Sequence, residues 1–95
     1  MVLEVITPES KIFTGEVTAV SLPGIDGIFQ ILNNHAPIIS ALKNGSIKVD
    51  LKEDFESDEK TSSLIDTNAN AKIINIKIKG GVIEMLNNKI IVLAE

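Results

Sequence analysis

The chain of 95 residues has no cysteine, no tryptophan and no tyrosine, and all nine of its basic residues are Lys. Without Cys there are no disulfide staples, no thiolate metal sites and no Cys nucleophile. With no Arg and only three Phe, the guanidinium forks and stacking rings used to read nucleic-acid bases are missing. Thirteen acidic residues leave a net charge of −4, the wrong sign for binding a phosphate backbone. No nucleic-acid partner is expected. No apolar run reaches the roughly 18 residues of a membrane-spanning helix. Met1-Val2-Leu3-Glu4 lacks the basic start and apolar run of a signal peptide. The expected location is the cytoplasm, with membrane association at most peripheral.

What the chain does have is aliphatic bulk. Hydrophobic residues make up 44% of it, mostly Ile, Val and Leu, a composition that packs well on pleated sheets. The length suits one domain. Val2–Ile6, Lys11–Phe13 and Glu16–Leu22 read as strands, with Gly15 between the last two. Pro23-Gly24 predicts a turn, and Asp26-Gly27 offers a second. Ile28–Leu32 reads as a strand covered on both faces, and Ile38–Leu42 as another. Asn44-Gly45 carries the strongest hairpin signal, because a type I′ turn needs positive φ at both central positions. Beyond it Ile47, Val49 and Leu51 alternate with Ser46, Lys48, Asp50 and Lys52, and Ile74, Ile76 and Ile78 alternate with Asn75, Lys77 and Lys79. Glu53–Ser63 reads as an exposed loop. Gly80-Gly81 permits a kink or bulge, and Asn87-Asn88 joins Val82–Leu86 to Lys89–Leu93 as a hairpin. No helical stripe is present. Short strands with frequent turns predict an all-β sandwich or barrel. Lys89–Leu93 is apolar on both faces, so part of the outer surface is expected to be covered by a partner.

The chemistry-bearing residues are few. His35 is the only His, too little for a His-based metal site. Asp26, His35 and Ser40 spell a catalytic triad on paper, but no nucleophile elbow or oxyanion loop accompanies them. Gly24, Gly27 and Gly80-Gly81 precede no helix and form no phosphate cradle. The acidic run Glu53, Asp54, Glu56, Asp58 and Glu59 lacks the Gly and spacing of a calcium loop and reads as solvated. Lys72 and Lys89 lie near turns without the Met flank of a carrier-domain lysine. Ile25, Ile28 and Phe29 flank rigid turns, where they are either core filling or interface anchors. The stretch Leu22–Leu42 is thus read as a contact surface. A free-standing interaction adaptor fits that reading, whereas a small β-barrel enzyme is disfavoured.

The residues also resemble a known family. Leu22-Pro23-Gly24-Ile25-Asp26-Gly27 and His35-Ala36-Pro37-Ile38-Ile39-Ser40-Ala41-Leu42 resemble the epsilon subunits of F-type ATP synthases, called delta in mitochondria. Ile6-Thr7-Pro8-Glu9, Phe13-Thr14-Gly15-Glu16-Val17, Gly80-Gly81-Val82-Ile83-Glu84 and Ile91-Val92-Leu93-Ala94-Glu95 agree with it. The resemblance implies a flattened β-sandwich of two mostly antiparallel sheets spanning residues 1–95, without the C-terminal helical hairpin. It implies a central-stalk role, clasping gamma and resting on the c-ring at the cytoplasmic face of a bacterial inner membrane. There it would couple proton flow to ATP synthesis without bound cofactor, metal or nucleotide, and without inhibition by a hairpin. His35, Ala36, Pro37 and Phe29 are implied as the gamma interface, and Asp26, Gly27 and Ile28 as the c-ring interface. Three departures stand out. Gln30 takes the place of the usual Gly, and Asn33-Asn34 that of Pro-Gly. Residues 50–71 form a longer segment, expected as a loop or extra hairpin.

Overall fold

The computed structural model describes residues 1–58 and 61–95. Among them run nine strands and no helix: β1 (Val2–Ile6), β2 (Lys11–Gly24), β3 (Gly27–Leu32), β4 (Ile38–Leu42), β5 (Gly45–Leu51), β6 (Ile65–Thr67), β7 (Ile73–Ile78), β8 (Gly81–Leu86) and β9 (Lys89–Ala94). They form a β-sandwich. One layer holds β1, β9, β8 and β4; the other holds β3, the second half of β2, β5, β7 and β6. All pairings are antiparallel except that of β1 with β9.

The two layers are joined by β2. Its first half pairs with β1, its second half with β3 and β5, and its last residue, Gly24, with Leu42 of β4. A register shift between Val17 and Ala19 marks the change of partner, and the Thr18 hydroxyl donates there to the Asp50 carbonyl at 3.2 Å. A bulge adds one residue and so inverts which side chains face inwards. Phe13 and Val17 are buried before it, Val20 and Leu22 after it.

The core is aliphatic. Leu3, Val5, Ile83, Met85, Ile90 and Val92 of one layer meet Val20, Leu22, Ile31, Ile47, Val49, Ile74 and Ile76 of the other, all at 1% exposure or less. Each such side chain contributes about 1.5–3 kcal/mol by leaving water. The alternations of Ile47, Val49 and Leu51 and of Ile74, Ile76 and Ile78 point inwards as their period of two requires. Asn87 and Asn88, with φ of 51° and 61°, make the tight β8–β9 turn that their spacing indicates.

Four local expectations are corrected. Gly15 does not interrupt a strand. It lies within β2 opposite Leu3, and a Cβ there would meet the Phe13 ring at 2.9 Å, so its bareness makes room for that ring. Pro23-Gly24 is not a turn. Pro23 lies in β2 opposite Ile28, its carbonyl accepts the Lys43 N–H at 2.9 Å, and the turn falls on Ile25-Asp26. Asn44-Gly45 is not a hairpin, since β4 and β5 pair with other strands and the segment carries the chain between layers. Gly45 serves close packing there: a Cβ would come 2.9 Å from Cβ of Pro23. Finally, β3 is covered on only one face: Phe29 and Ile31 turn towards the core, and the side carrying Ile28, Gln30 and Leu32 lies open. Ile28 and Leu32 are exposed, and Ile31 is buried.

Within 50–71, β6 pairs with β7, and Phe55 packs partly buried against the core. Phe55, Ile12, Phe13 and Ile65 floor a cavity of about 520 Å³ that Glu16, Glu53, Asp54 and Glu56 also line. Glu59 of the acidic run lies outside the described residues, and no group of side chains able to hold a metal ion occurs among those described.

Candidate functional site

The stretch from Leu22 to Leu42 builds two protrusions at opposite ends of β3. One is the β2–β3 turn. Gly24 has no space for a side chain, since a Cβ would lie 2.7 Å from the Gly27 carbonyl and 2.8 Å from the Phe29 ring. Gly27 takes a φ of 132°. With both glycines in place, the turn closes tightly and leaves Ile25, Asp26 and Ile28 in solvent, Ile28 at 80% exposure. Asp26, Gly27 and Ile28 therefore share one tip. Phe29 points the other way, partly buried, with its ring across Gly24.

The second protrusion is the loop 33–37, roughly 20 Å away by the rise of a six-residue strand. Asn34 has a φ of 64°. Its N–H donates to Oδ1 of Asn88 at 2.8 Å, while Asn88 Nδ2 donates to Oδ1 of Asn33 at 2.9 Å. The loop is thereby pinned to the β8–β9 turn. The His35 N–H donates to the Leu32 carbonyl at 3.1 Å, and His35 Nδ1 lies 2.6 Å from the Ala36 carbonyl. A carbonyl only accepts, so Nδ1 carries the proton and Nε2 is left to solvent. Ser40 directs its hydroxyl to the Ala41 carbonyl, and neither it nor Asp26 bonds to His35 among the described residues.

Pro37 links this loop to a surface that the strand pattern announces only in part. On the outer side of β4, β8, β9 and β1, Ile39 lies beside Glu84, then Ile91, then Glu4. In the next row Val82 lies beside Leu93 and then Ile6. Ile39, Val82, Leu86 and Leu93 are all exposed large hydrophobics, Ile39 at 73%. Two shallow grooves cross this face. One of about 410 Å³ is lined by Pro37, Ile39, Glu84 and Leu86. The other, about 370 Å³, is lined by Ile6, Val82, Ile91 and Leu93. Lys11 pairs with Glu4 at its rim, 3.6 Å apart. The opposite face is different: Ser46, Lys48, Lys77 and Asp66 are exposed there, and Lys77 pairs with Asp66 at 3.7 Å. The outer face of β4, β8, β9 and β1 is thus the more aliphatic of the two, with Glu4 and Glu84 set among its apolar side chains. On the other layer only β3 adds exposed aliphatics among the described residues, Ile28 and Leu32. The double-sided hydrophobicity of Lys89–Leu93 is the sequence signal for it; the contributions of Ile39 and Val82 are invisible until β4 and β8 are seen side by side.

The model of the ATP synthase delta/epsilon chain β-sandwich domain matches residues 1–62. The chain belongs to that family. An ATP synthase epsilon chain of Chlorobium limicola is 37% identical over 93 residues, covering 98% of this chain and 86% of the relative. One from Chlorobaculum tepidum is 36% identical with the same coverages. One from Desulforamulus reducens is 32% identical, and there the match spans 57% of the relative. Among solved structures, a chain of the Tetrahymena thermophila mitochondrial ATP synthase central stalk/c-ring superposes with a TM-score of 0.71 at 12% identity. It takes in 99% of this chain and 62% of that one, and at such identity the likeness concerns the fold alone.

Proposed function

We propose that this chain is a non-catalytic central-stalk subunit of a bacterial, proton-translocating F-type ATP synthase, with residues 1–95 acting as one domain. The observation that carries the reading is the apolar outer face of β4, β8, β9 and β1, because an exposed patch of this kind on a small domain marks a protein partner. Gamma would cover that face and the adjoining loop His35-Ala36-Pro37, with Phe29 supporting the strand between the two protrusions from inside. The tip Asp26-Gly27-Ile28 would meet the polar loops of the c-ring. Rigid docking at both ends would transmit torque and couple proton flow to ATP synthesis without the chain touching nucleotide, metal or cofactor. Its place would be the cytoplasmic face of the inner membrane, held there through the c-ring. The epsilon-chain relatives and the stalk neighbour support this reading.

The test is isolation of the native complex through a tag on this chain. Gamma and c subunits should co-purify, His35→Glu should weaken the first contact and Ile28→Glu the second, with both variants folded. An unrelated partner in place of gamma would favour a free-standing adaptor instead. Wild-type recovery of gamma and c with both variants would remove the two protrusions as contact sites.

A further inference from the structure

One carboxylate stands in the middle of the aliphatic face formed by β4, β8, β9 and β1. Glu84 of β8 lies directly opposite Ile39 on β4 and directly opposite Ile91 on β9. It also borders both grooves of that face. One groove holds Pro37, Ile39 and Leu86, the other Ile6, Ile91 and Leu93, and Glu84 is common to the two.

The two acidic residues of this row differ in what they already have. Glu4 finds its counter-ion within the chain, the Lys11 ammonium 3.6 Å away. Glu84 forms no ion pair among the described residues, and Lys89, two residues before Ile91 on β9, makes none with it. In the free chain Glu84 is exposed, and water solvates its charge.

Covering the face changes that. Adjacent strands lie about 4.8 Å apart, so a partner spread over Ile39 and Ile91 also lies over Glu84 between them. Water then leaves the carboxylate, and a charge buried without a counter-charge opposes association. A wholly apolar surface is turned away by this cost. A surface with a Lys or Arg at that point meets the charge and still fills the grooves on either side.

We propose that Glu84 selects the partner of this face, which carries a Lys or Arg set between two apolar side chains, the cation on Glu84 and the apolar pair in the flanking grooves. The inference rests on the reading that gamma covers this face, and it assigns the basic residue to gamma. Glu4, already neutralised by Lys11, makes no such demand. The apolar area gives the contact its strength, and Glu84 gives it register and selectivity.

Retention of gamma by the tagged full chain, washed at increasing salt, tests this. Glu84→Leu enlarges the apolar face, so a contact made by apolar area alone would hold gamma as well as wild type or better. It should instead lower retention about tenfold or more and flatten the salt dependence, because the ion pair is what salt screens. Glu84→Lys, which sets like charges together, should lower it further. Glu4→Gln should stay close to wild type. The side chain at 84 stands in solvent, so melting temperatures of the isolated variants should match wild type within a few degrees. Leu93→Lys separates the two ways of failing. Loss of gamma with Leu93→Lys but not with Glu84→Leu overturns the role of Glu84 and leaves the face as the contact. Full retention with both takes gamma off this face, and the inference falls with the reading it rests on.

Discussion

Oδ1 of Asn88 accepts the backbone N–H of Asn34 at 2.8 Å, joining two turns that stand 54 residues apart in the chain. The same side chain donates to Asn33, and the backbone carbonyl of Asn88 accepts the Val2 N–H at 3.2 Å. One residue therefore fixes the loop carrying His35, the β8–β9 turn and the start of β1. Asn88→Ala removes the side-chain clasp and also places a Cβ-bearing aliphatic residue at a φ of 61°. A loss of about 1–2 kcal/mol is expected in urea unfolding. Asn88→Gly, which keeps the conformation and loses only the clasp, should cost less. Equal losses would show that the left-handed backbone contributes nothing.

Gly81 and Gly27 both have strongly positive φ, at 152° and 132°, but differ in their surroundings. A Cβ on Gly81 would collide with the Leu93 carbonyl, a backbone atom of a paired strand that has nowhere to go. Nothing lies within 4 Å of the corresponding position at Gly27. Gly27→Ala should therefore carry only backbone strain, about 1–3 kcal/mol. Gly81→Ala adds the clash and should cost more, to the point of unfolding so small a domain. Thermal melts of the two variants side by side check the order.

Ile76 is fully buried in β7 between β5 and β6. Ile76→Val should cost about 0.5–1.5 kcal/mol and Ile76→Ala about 2–5 kcal/mol, the latter leaving a cavity the sheets cannot close. Denaturant midpoints should fall in that order with little change of slope. A negligible effect of Ile76→Ala would contradict the packed aliphatic core.

On the apolar face, Leu93→Lys and Ile39→Lys change side chains that stand in solvent. The melting temperature of the isolated chain should stay within a few degrees of wild type. Retention of gamma in a pull-down should drop about tenfold or more if this face is the contact, since buried anchors dominate interface energies. Lys48→Glu on the opposite face is the control and should leave both readouts alone. The reverse pattern would transfer the gamma contact to the other side of the sandwich.

How much of this was legible beforehand depends on how local the cause is. The sequence by itself determined which side chains of β5 and β7 point inwards, because a strand repeats every two residues whatever it pairs with. It determined the Asn87-Asn88 turn, since Asn tolerates the left-handed backbone that a two-residue hairpin needs. It also pointed to Ile25, Ile28 and Phe29 beside their turns and to His35 as contact candidates, for turn residues beside apolar ones are a short-range pattern. Pairing partners have no such local mark. Asn44-Gly45 has the composition of a hairpin, yet the packing of Gly45 on Pro23 sends the chain across to the other layer. Pro23-Gly24 has the composition of a turn, yet β2 runs through it because its neighbours ask only for the Pro23 carbonyl. Above all, Ile39, Val82, Leu93 and Ile6 become a surface only because β4, β8, β9 and β1 lie side by side. That adjacency belongs to the tertiary structure, and it alone separates an apolar patch from four aliphatic side chains scattered along a chain.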